Sequence, residues 1–549
     1  MGSKSSQIRI IPLGGLGEVG KNITAIDHPD GFILIDCGLT FPREQGVFGV
    51  DIVLPDFQWI IENADRFLGV VVTHGHEDHI GALAWLMRQV KVPQIYGTRF
   101  TLALAKARID EFQLIDETSF VEVRAGEDAI DIGPFQLEFI RATHSIPDCV
   151  AVAIHTPHGT IVHSGDIKLD PSPIDGVQTD LSHFAELGSE GVALYLADST
   201  QADIPGHTKS ERTLAGPLRD IVRGADGRII VTCFSSHIHR IQQFCDIARE
   251  NDRSVCIIGR SMLRNTNIAR NLGYMNLDGV DIVKPNAIED IEPQNLLVIC
   301  TGSQGEQLAA MNRMAWGNHP FLKPQSGDTV IFSSRTIPGN ELRVHSVFNQ
   351  LCRNGAHIMH SGIAPVHVSG HGSSEELKTL LQLVRPQAFM PIHGEWRHLR
   401  AHADLAMMVG VDPDRIIMAE NGSVITLRNG RAELSDEFVH AGERCVDRHS
   451  NEDIVQRVME DRQQASGDGL LVIVAHESSG SLEVIPRGFL DDDPALMDVA
   501  RQAAEDVLDD EDLYDDLGAL EHAIQEAVGS VVHSKTRRSP LVVPVVLND

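Results

Sequence analysis

Through its first two hundred residues the chain repeats one pattern, a short β-branched run that stops on a glycine, aspartate, histidine or serine. "IRIIPLGG", "FILIDCGL", "GVVVTHGH", "FQLEFIRATH", "GTIVHSGD" and "VALYLADST" all follow it. Strands that end this way deliver polar side chains to one edge of a sheet. Helical periodicity in "HIGALAWLMRQV" and "RFTLALAKARI" lies between the strands, so the expected class is α/β.

The organisation of the chain follows from where this pattern stops and resumes. Residues 1–206 carry it first. Residues 207–366 show a second rhythm of strand, polar loop and helix, in "RIIVTCF", "SVCIIG", "LLVICTG" and "DTVIFSS", with "RIQQFCDIARE" and "GEQLAAMNRMA" between. That is the signature of a separate parallel sheet whose carboxyl-end loops face a crevice. Residues 367–440, with "HVSGHGSSEEL" and "AFMPIHGEW", return to histidine-rich strand ends, so the middle segment reads as an insertion. Residues 441–467 are polar and suit a helical or extended linker. A small unit over 468–549 follows, with strands "LLVIVAH", "LEVIPRGF" and "PLVVPVVL" and an acidic helix around 494–529. Its run "VLDDEDLYDDL" reads as a solvated helix face.

At 549 residues and 42% hydrophobic content, the chain has enough apolar material for several cores. No stretch has the roughly 18–20 uninterrupted apolar residues of a membrane span, and "MGSKSSQIRI" lacks the apolar segment of a secretory signal. The expected address is the cytoplasm, with no membrane partner. Eight scattered cysteines without a C-x-x-C pair are expected to be buried, reduced thiols. A net charge of −31 argues against a polyanionic partner, but residues 451–549 hold 22 acidic and 7 basic residues, about half the excess. A local basic channel or bound cations elsewhere would still receive a polyanion.

The densest chemical signal is "THGHEDHIGAL". The preceding strand is expected to end near Thr73 and the following helix to begin around His79, with a tight turn between them. Such a turn converges imidazoles and carboxylates on one point, and neutral imidazole with carboxylate is the donor set of zinc, which manganese also accepts. His144, Asp166 and His393 stand at other strand ends, each beside a small residue or closing an apolar run, and supply further donors.

H-x-H-x-D-H with downstream His, Asp and His resembles the metallo-β-lactamase superfamily. The insertion followed by "SGHGS" and "PIHGE" resembles its β-CASP branch. Six blocks in order, "IPLGGLGEVGKN", "LPDF", "THGHEDHIGAL", "ADST", "FSSRTIPGNE" and "PRGF", are similar to the bacterial ribonuclease J family across nearly the whole chain. The resemblance implies a metallo-β-lactamase αββα sandwich, an inserted β-CASP α/β domain and a small α+β C-terminal domain.

It also implies a two-metal site. His74, His76 and His144 would hold one ion, Asp78, His79 and His393 the other, with Asp166 bridging. Asp36 would support the ligands from behind. The ions would be zinc, with manganese or magnesium possible in activity, and would activate water against a phosphodiester. Asp78, Asp198 and His371 are the candidate catalytic residues, His371 contacting the phosphate and donating a proton with Asp198 as its partner. Asp198 has the alternative of capping a turn. Ser369, Gly370, Gly372 and Ser373, around His371, have the composition of an anion nest. Ser235, His237, Ser334 and Arg335 belong to two strand-end Ser pairs that would face a 5′-monophosphate pocket. Phe57 is a candidate base-stacking residue, with core packing the alternative.

Two departures from the family pattern stand out. Gly372 occupies a position where alanine is common, and "SSHIH" replaces a more usual Ser–Asn. The implied function is a 5′-to-3′ exoribonuclease with endonuclease activity, working in RNA maturation and mRNA decay on single-stranded 5′-monophosphate RNA. The implied partners are RNA-degradation proteins, and the implied assembly is a homodimer or homotetramer through the C-terminal domain. A β-CASP DNA nuclease, a small-ester metallohydrolase and an RNA-binding scaffold with a vestigial site are the rivals.

Overall fold

A computed structural model describes residues 7–42, 50, 52–337, 339–447, 452–454, 456–476, 481–488, 494–509 and 517–547. Chain contacts divide it into two units, residues 1–40 with 54–443, and residues 41–53 with 444–549.

The larger unit is built on two sheets face to face. One has eight strands, in the spatial order Arg431–Phe438, Ser423–Arg428, Ile8–Gly14, Ile23–His28, Gly31–Ile35, Phe67–Val71, Gln94–Gly97 and Ser119–Glu122. The other has six, in the order Ala388–Ile392, Val192–Asp198, Gly159–His163, Val150–Thr156, Phe135–Arg141 and Ile130–Ile132. Ile10, Ile26, Ile33 and Val71 from the first sheet meet Phe139, Val152, Ile161, Leu196 and Met390 from the second in one buried core. The β-branched runs form strands because this core takes their inward faces. Helices Leu181–Glu190, Ser374–Val384 and Trp396–Met408 pack together on the six-stranded side, and Arg99–Asp110 packs on the eight-stranded side. This is the α/β sandwich expected.

Between Val192–Asp198 and its sheet neighbour Ala388–Ile392 the chain builds a third sheet of six strands. All its pairings are parallel, with Ile229–Thr232 near the middle. Its core is separate and includes Ile230, Val298, Met311, Val330 and Val347.

The smaller unit carries a three-stranded sheet, Leu482–Arg487, Leu470–His476 and Leu541–Leu547, in that order. Leu520, Ile524, Val528 and Val532 recur every four residues on helix Leu517–Thr536 and bury against Leu471, Ile473 and Val542. The single acidic helix expected over 494–529 is two helices, Pro494–Leu508 and Leu517–Thr536, and residues 510–516 of the acidic run lie outside the described residues. Part of the expected linker is helical, Gln456–Asp468.

Six cysteines are buried, but Cys352 is exposed and Cys445 half-buried. Helix Glu341–Arg353 buries Val344, Val347 and Leu351, which turns the next position, Cys352, outward. Among the described residues no helix is long and apolar enough to cross a membrane.

Candidate metal centre

The strand Phe67–Val71 ends two residues before Thr73, and the helical turn after it spans Glu77–Ile80 rather than starting at His79. Glu77 and Asp78 fall in its first turn, where carboxylates suit the helix N-terminus. The turn is pressed against Gly38, where an added Cβ would lie 1.6 Å from the Asp78 carbonyl oxygen. Only glycine permits that approach.

Asp36 anchors the assembly. Its Oδ1 accepts the Thr73 amide at 2.7 Å, and its Oδ2 accepts the Thr73 hydroxyl at 2.9 Å and His79 Nδ1–H at 2.7 Å. Because the Thr73 hydroxyl proton is committed to Asp36, Thr73 Oγ1 is the acceptor for His74 Nδ1–H at 3.0 Å. His144 Nδ1–H donates to the Gly370 carbonyl at 2.7 Å. Each of these three rings is held through its outer nitrogen, Nδ1, so Nε2 is the nitrogen that faces inward.

Two donor groups result. His74 Nε2 and His144 Nε2 lie 3.0 and 3.1 Å from His76 Nδ1, and both lie 3.5 Å from Asp166 Oδ2. On the other side His79 Nε2 lies 3.3 Å and His393 Nδ1 2.7 Å from Asp166 Oδ1, while Asp78 Oδ2 is 3.7 Å from His79 Nε2 and 3.6 Å from His393 Nε2. Each set has four ligand atoms within 4.8 Å of one another, and both share Asp166. Asp166 and His393 are 3% exposed. Asp36 and His393 take left-handed backbone angles, φ +62° and +52°, a conformation that costs energy and is retained where the surroundings require it.

The electrostatics divide the same way. Burial pushes His74 and His144 well below the ordinary imidazole value and His76 down to about 4, which keeps all three neutral and able to ligate. Burial acts likewise on His79 and His393, but neighbouring carboxylates, led by Asp166, outweigh it, holding His79 well above its ordinary value and His393 up to about 10. A carboxylate field that charges two buried imidazoles is equally suited to a divalent cation. Buried atoms Asp166 Oδ1 and His393 Nδ1 and Nε2 have no well-formed hydrogen bond, as expected of atoms shaped for metal ligation. The donor set fits two metal ions.

Beside these groups Asp198 Oδ2 meets His371 Nδ1 at 2.7 Å, and His371 Nε2 lies 3.9 Å from Asp166 Oδ2. Asp198 Oδ1 accepts the Thr200 amide and hydroxyl at 3.0 and 2.8 Å, so Asp198 closes a turn with one oxygen and meets His371 with the other. Burial opposes protonation of His371, but Asp198 and Asp166 raise it above its ordinary value.

Two expectations need correction. Phe57 is 0% exposed and lies in the core, so it offers no face to a base. The "SGHGSS" loop is less open to an anion than its composition implies, because the amides of its last four residues are engaged within the protein. His371 N donates to Ser369 Oγ, Gly372 N to Ile167 O, Ser373 N to Glu376 Oε2 and Ser374 N to Ile204 O. Of the remaining candidates, Arg335 is exposed, Ser334 and His237 are buried, and Ser235 Oγ accepts from Asn265. His237 Nε2 and His367 Nδ1 are buried without hydrogen-bond partners, their ring centroids 6.4 Å apart.

The sequence reading missed Thr73, Asn22, Lys168 and Glu376. Asn22 Nδ2 donates to the Asp78 carbonyl and lies 3.1 Å from His79 Nε2, and Lys168 Nζ donates to the Ser369 carbonyl at 3.3 Å. Only Glu376 had a local signal, its place three residues after Ser373 in a capping box.

Four family models match along the chain in order: the metallo-beta-lactamase superfamily over 16–211, the ribonuclease J beta-CASP domain over 226–351, the Zn-dependent metallo-hydrolase RNA specificity domain over 356–415 and the ribonuclease J C-terminal domain over 457–548. A ribonuclease J of Mycolicibacterium smegmatis is 41% identical over 546 residues, 98% of this chain and 97% of that one. The chain belongs to the ribonuclease J family. Other ribonuclease J relatives include that of Thermus thermophilus, 39% identical over 100% of this chain and 96% of its own, and ribonuclease J 1 of Streptococcus pyogenes, 36% identical over 99% and 98%. A crystal structure of an Enterococcus faecalis protein of unknown function covers 77% of this chain and all of its own, with a TM-score of 0.53 at 16% identity, and shares the fold. Along this chain the candidate donors from His74 to Asp166 fall in the superfamily match, whereas His371 and His393 fall in the RNA specificity match.

Proposed function

We propose that the chain is a metal-dependent ribonuclease that degrades single-stranded RNA from a 5′-monophosphate end in the 5′-to-3′ direction and also cuts internally, in RNA maturation and decay. Asp166 carries the reading. Its two oxygens each face a separate set of imidazole and carboxylate donors, the arrangement of a shared ligand between two cations. His74, His76, His144 and Asp166 would hold one divalent ion, and Asp78, His79, His393 and Asp166 the other. Zinc suits the nitrogen-rich set, with manganese or magnesium as alternatives in activity. Such ions lower the pKa of water and neutralise charge on phosphoryl oxygens.

The chain's own groups supply the rest. Asp198 fixes the His371 ring by Nδ1 and favours its protonated form, leaving Nε2 to meet the phosphate and give its proton to the departing 3′ oxygen. His237 and His367, each with a ring nitrogen that makes no hydrogen bond, together with exposed Arg335 and with Ser235, Ser334 and Ser369, are the groups that would receive a 5′ phosphate. Assembly into dimers or tetramers through the C-terminal unit, a cytoplasmic address and RNA-degradation partners belong to the same reading.

The test is digestion of one RNA bearing a 5′-monophosphate or a 5′-triphosphate, with and without chelator, with products resolved on a sequencing gel. Chelator-sensitive mononucleotide release, faster from the monophosphate, is expected. Equal internal cleavage of both RNAs would remove the end-recognition claim, and cleavage of DNA alone would overturn the substrate.

A further inference from the structure

Glu376 is 1% exposed, and its carboxylate accepts three backbone amides. Oε1 takes Leu169 N at 2.8 Å, and Oε2 takes Ser373 N at 2.9 Å and Thr208 N at 2.5 Å. The capping box at the start of Ser374–Val384 accounts for Ser373 alone. The other two amides come from the turn that carries Asp166 and from the segment that leads into the inserted sheet.

Thr208 continues the connection. Its hydroxyl donates to the His371 carbonyl at 2.8 Å and lies 2.9 Å from Ser373 Oγ. Gly372 N donates to Ile167 O, and Ile167 N reaches Asp198 Oδ2, the oxygen that also meets His371. His371 is thereby tied by its main chain to the same turn that presents Asp166, and the ties converge on Glu376 and Thr208. A displacement of about 1 Å at a reacting group is enough to cost a hundredfold in rate.

We infer that Glu376, acting through Thr208, is a positioning residue that holds His371 in register with Asp166 and Asp198, an inference that rests on the proton-donor reading of His371. The pair also joins the segment that leads into the insertion to the reacting groups.

Two substitutions test it. T208V keeps the shape and removes the hydroxyl, and E376Q puts an amide NH2 among three N–H donors. Both are assayed with H371A on a 5′-monophosphate RNA and on the same RNA with a 3′-S-phosphorothiolate first linkage, whose leaving thiolate needs no proton. Bound metal and thermal midpoints are measured on the same samples. The expected result is a kcat about ten- to a hundredfold lower on the oxygen RNA and within about threefold of the parent on the sulfur RNA, with KM and metal content unchanged. H371A should discriminate the two RNAs in the same way. Equal losses on both RNAs, or loss of metal, would reduce Glu376 and Thr208 to general structural residues. If H371A discriminates and T208V matches the parent, the positioning inference alone falls, and if H371A shows no discrimination, the proton-donor reading falls with it.

Discussion

His79 Nδ1 and Asp36 Oδ2 meet at 2.7 Å, both buried, and the contact decides which nitrogen of His79 faces Asp166. Asn tolerates the left-handed backbone of position 36 better than most residues, so D36N removes the charge without forcing the turn open. Affinity for zinc or manganese should fall about 10- to 100-fold with the fold intact, as loss of such supporting groups does elsewhere. Calorimetric titration with each ion, alongside circular dichroism, checks this, and unchanged affinity would refute the role of Asp36.

The contact between Gly38 and the Asp78 carbonyl leaves no room for a methyl group. G38A should displace the turn bearing His76, Asp78 and His79, and elemental analysis should find less than half of the parent's metal. Full metal content in G38A would show that the turn relaxes without cost to the site.

Phe57, fully buried, should matter to stability and not to RNA. F57A is expected to cost about 3–5 kcal/mol in denaturant unfolding, the usual range for an emptied aromatic site. At a temperature where the variant is folded, KM for RNA should stay within about twofold of the parent, a bound far below the ~1–3 kcal/mol that loss of base stacking brings.

Arg240 is 0% exposed and is paired through its guanidinium with Glu211, Ser333 and the Val366 carbonyl. Burial raises the Glu211 carboxyl, but Arg240 outweighs it and holds the group below its ordinary value. Such a depressed carboxylate adds stability above its unfolded pKa, about 4.3, and that stability is lost as pH falls through the lower folded value. E211Q should lose about 3–5 kcal/mol at neutral pH, because it leaves a buried guanidinium uncompensated. Its unfolding free energy should also fall less steeply than the parent's below about pH 4.3. Parallel acid limbs would mean that Glu211 does not contribute to the pH dependence.

Ile524 sits in the core of the smaller unit, on the face that carries Leu520 and Val528. I524D should unfold that unit and, on the proposed assembly, bring the sedimentation mass down to a single chain. A parent that sediments as a monomer would end the assembly proposal.

How much of this was legible beforehand depended on range. His74, His76, Asp78 and His79 sit within six positions, and each distant donor closes or follows an apolar strand, so local pattern was enough to nominate them. The α/β alternation was legible for the same reason, since each strand's apolar run is its own signal. Phe57 was not, because a lone phenylalanine beside a turn looks the same whether the fold covers it or not. The engaged amides of Gly372 and Ser374 in the "SGHGSS" loop were hidden because their acceptors, Ile167 and Ile204, lie far upstream in the chain. Arg240 and Glu211 were hidden likewise, as two charged residues inside ordinary helical patterns that only tertiary packing brings together.

The shared aspartate has a further consequence for the order in which the chain is made. Asp166 and the first donor group are complete by residue 166, but the second group waits for His393, beyond the whole inserted sheet. A nascent chain that has not yet reached residue 371 holds half a centre and lacks both His371 and His393. On the proposed assignment the centre stays half-built until translation is well past the insertion, and a chain truncated before residue 393 cannot complete it.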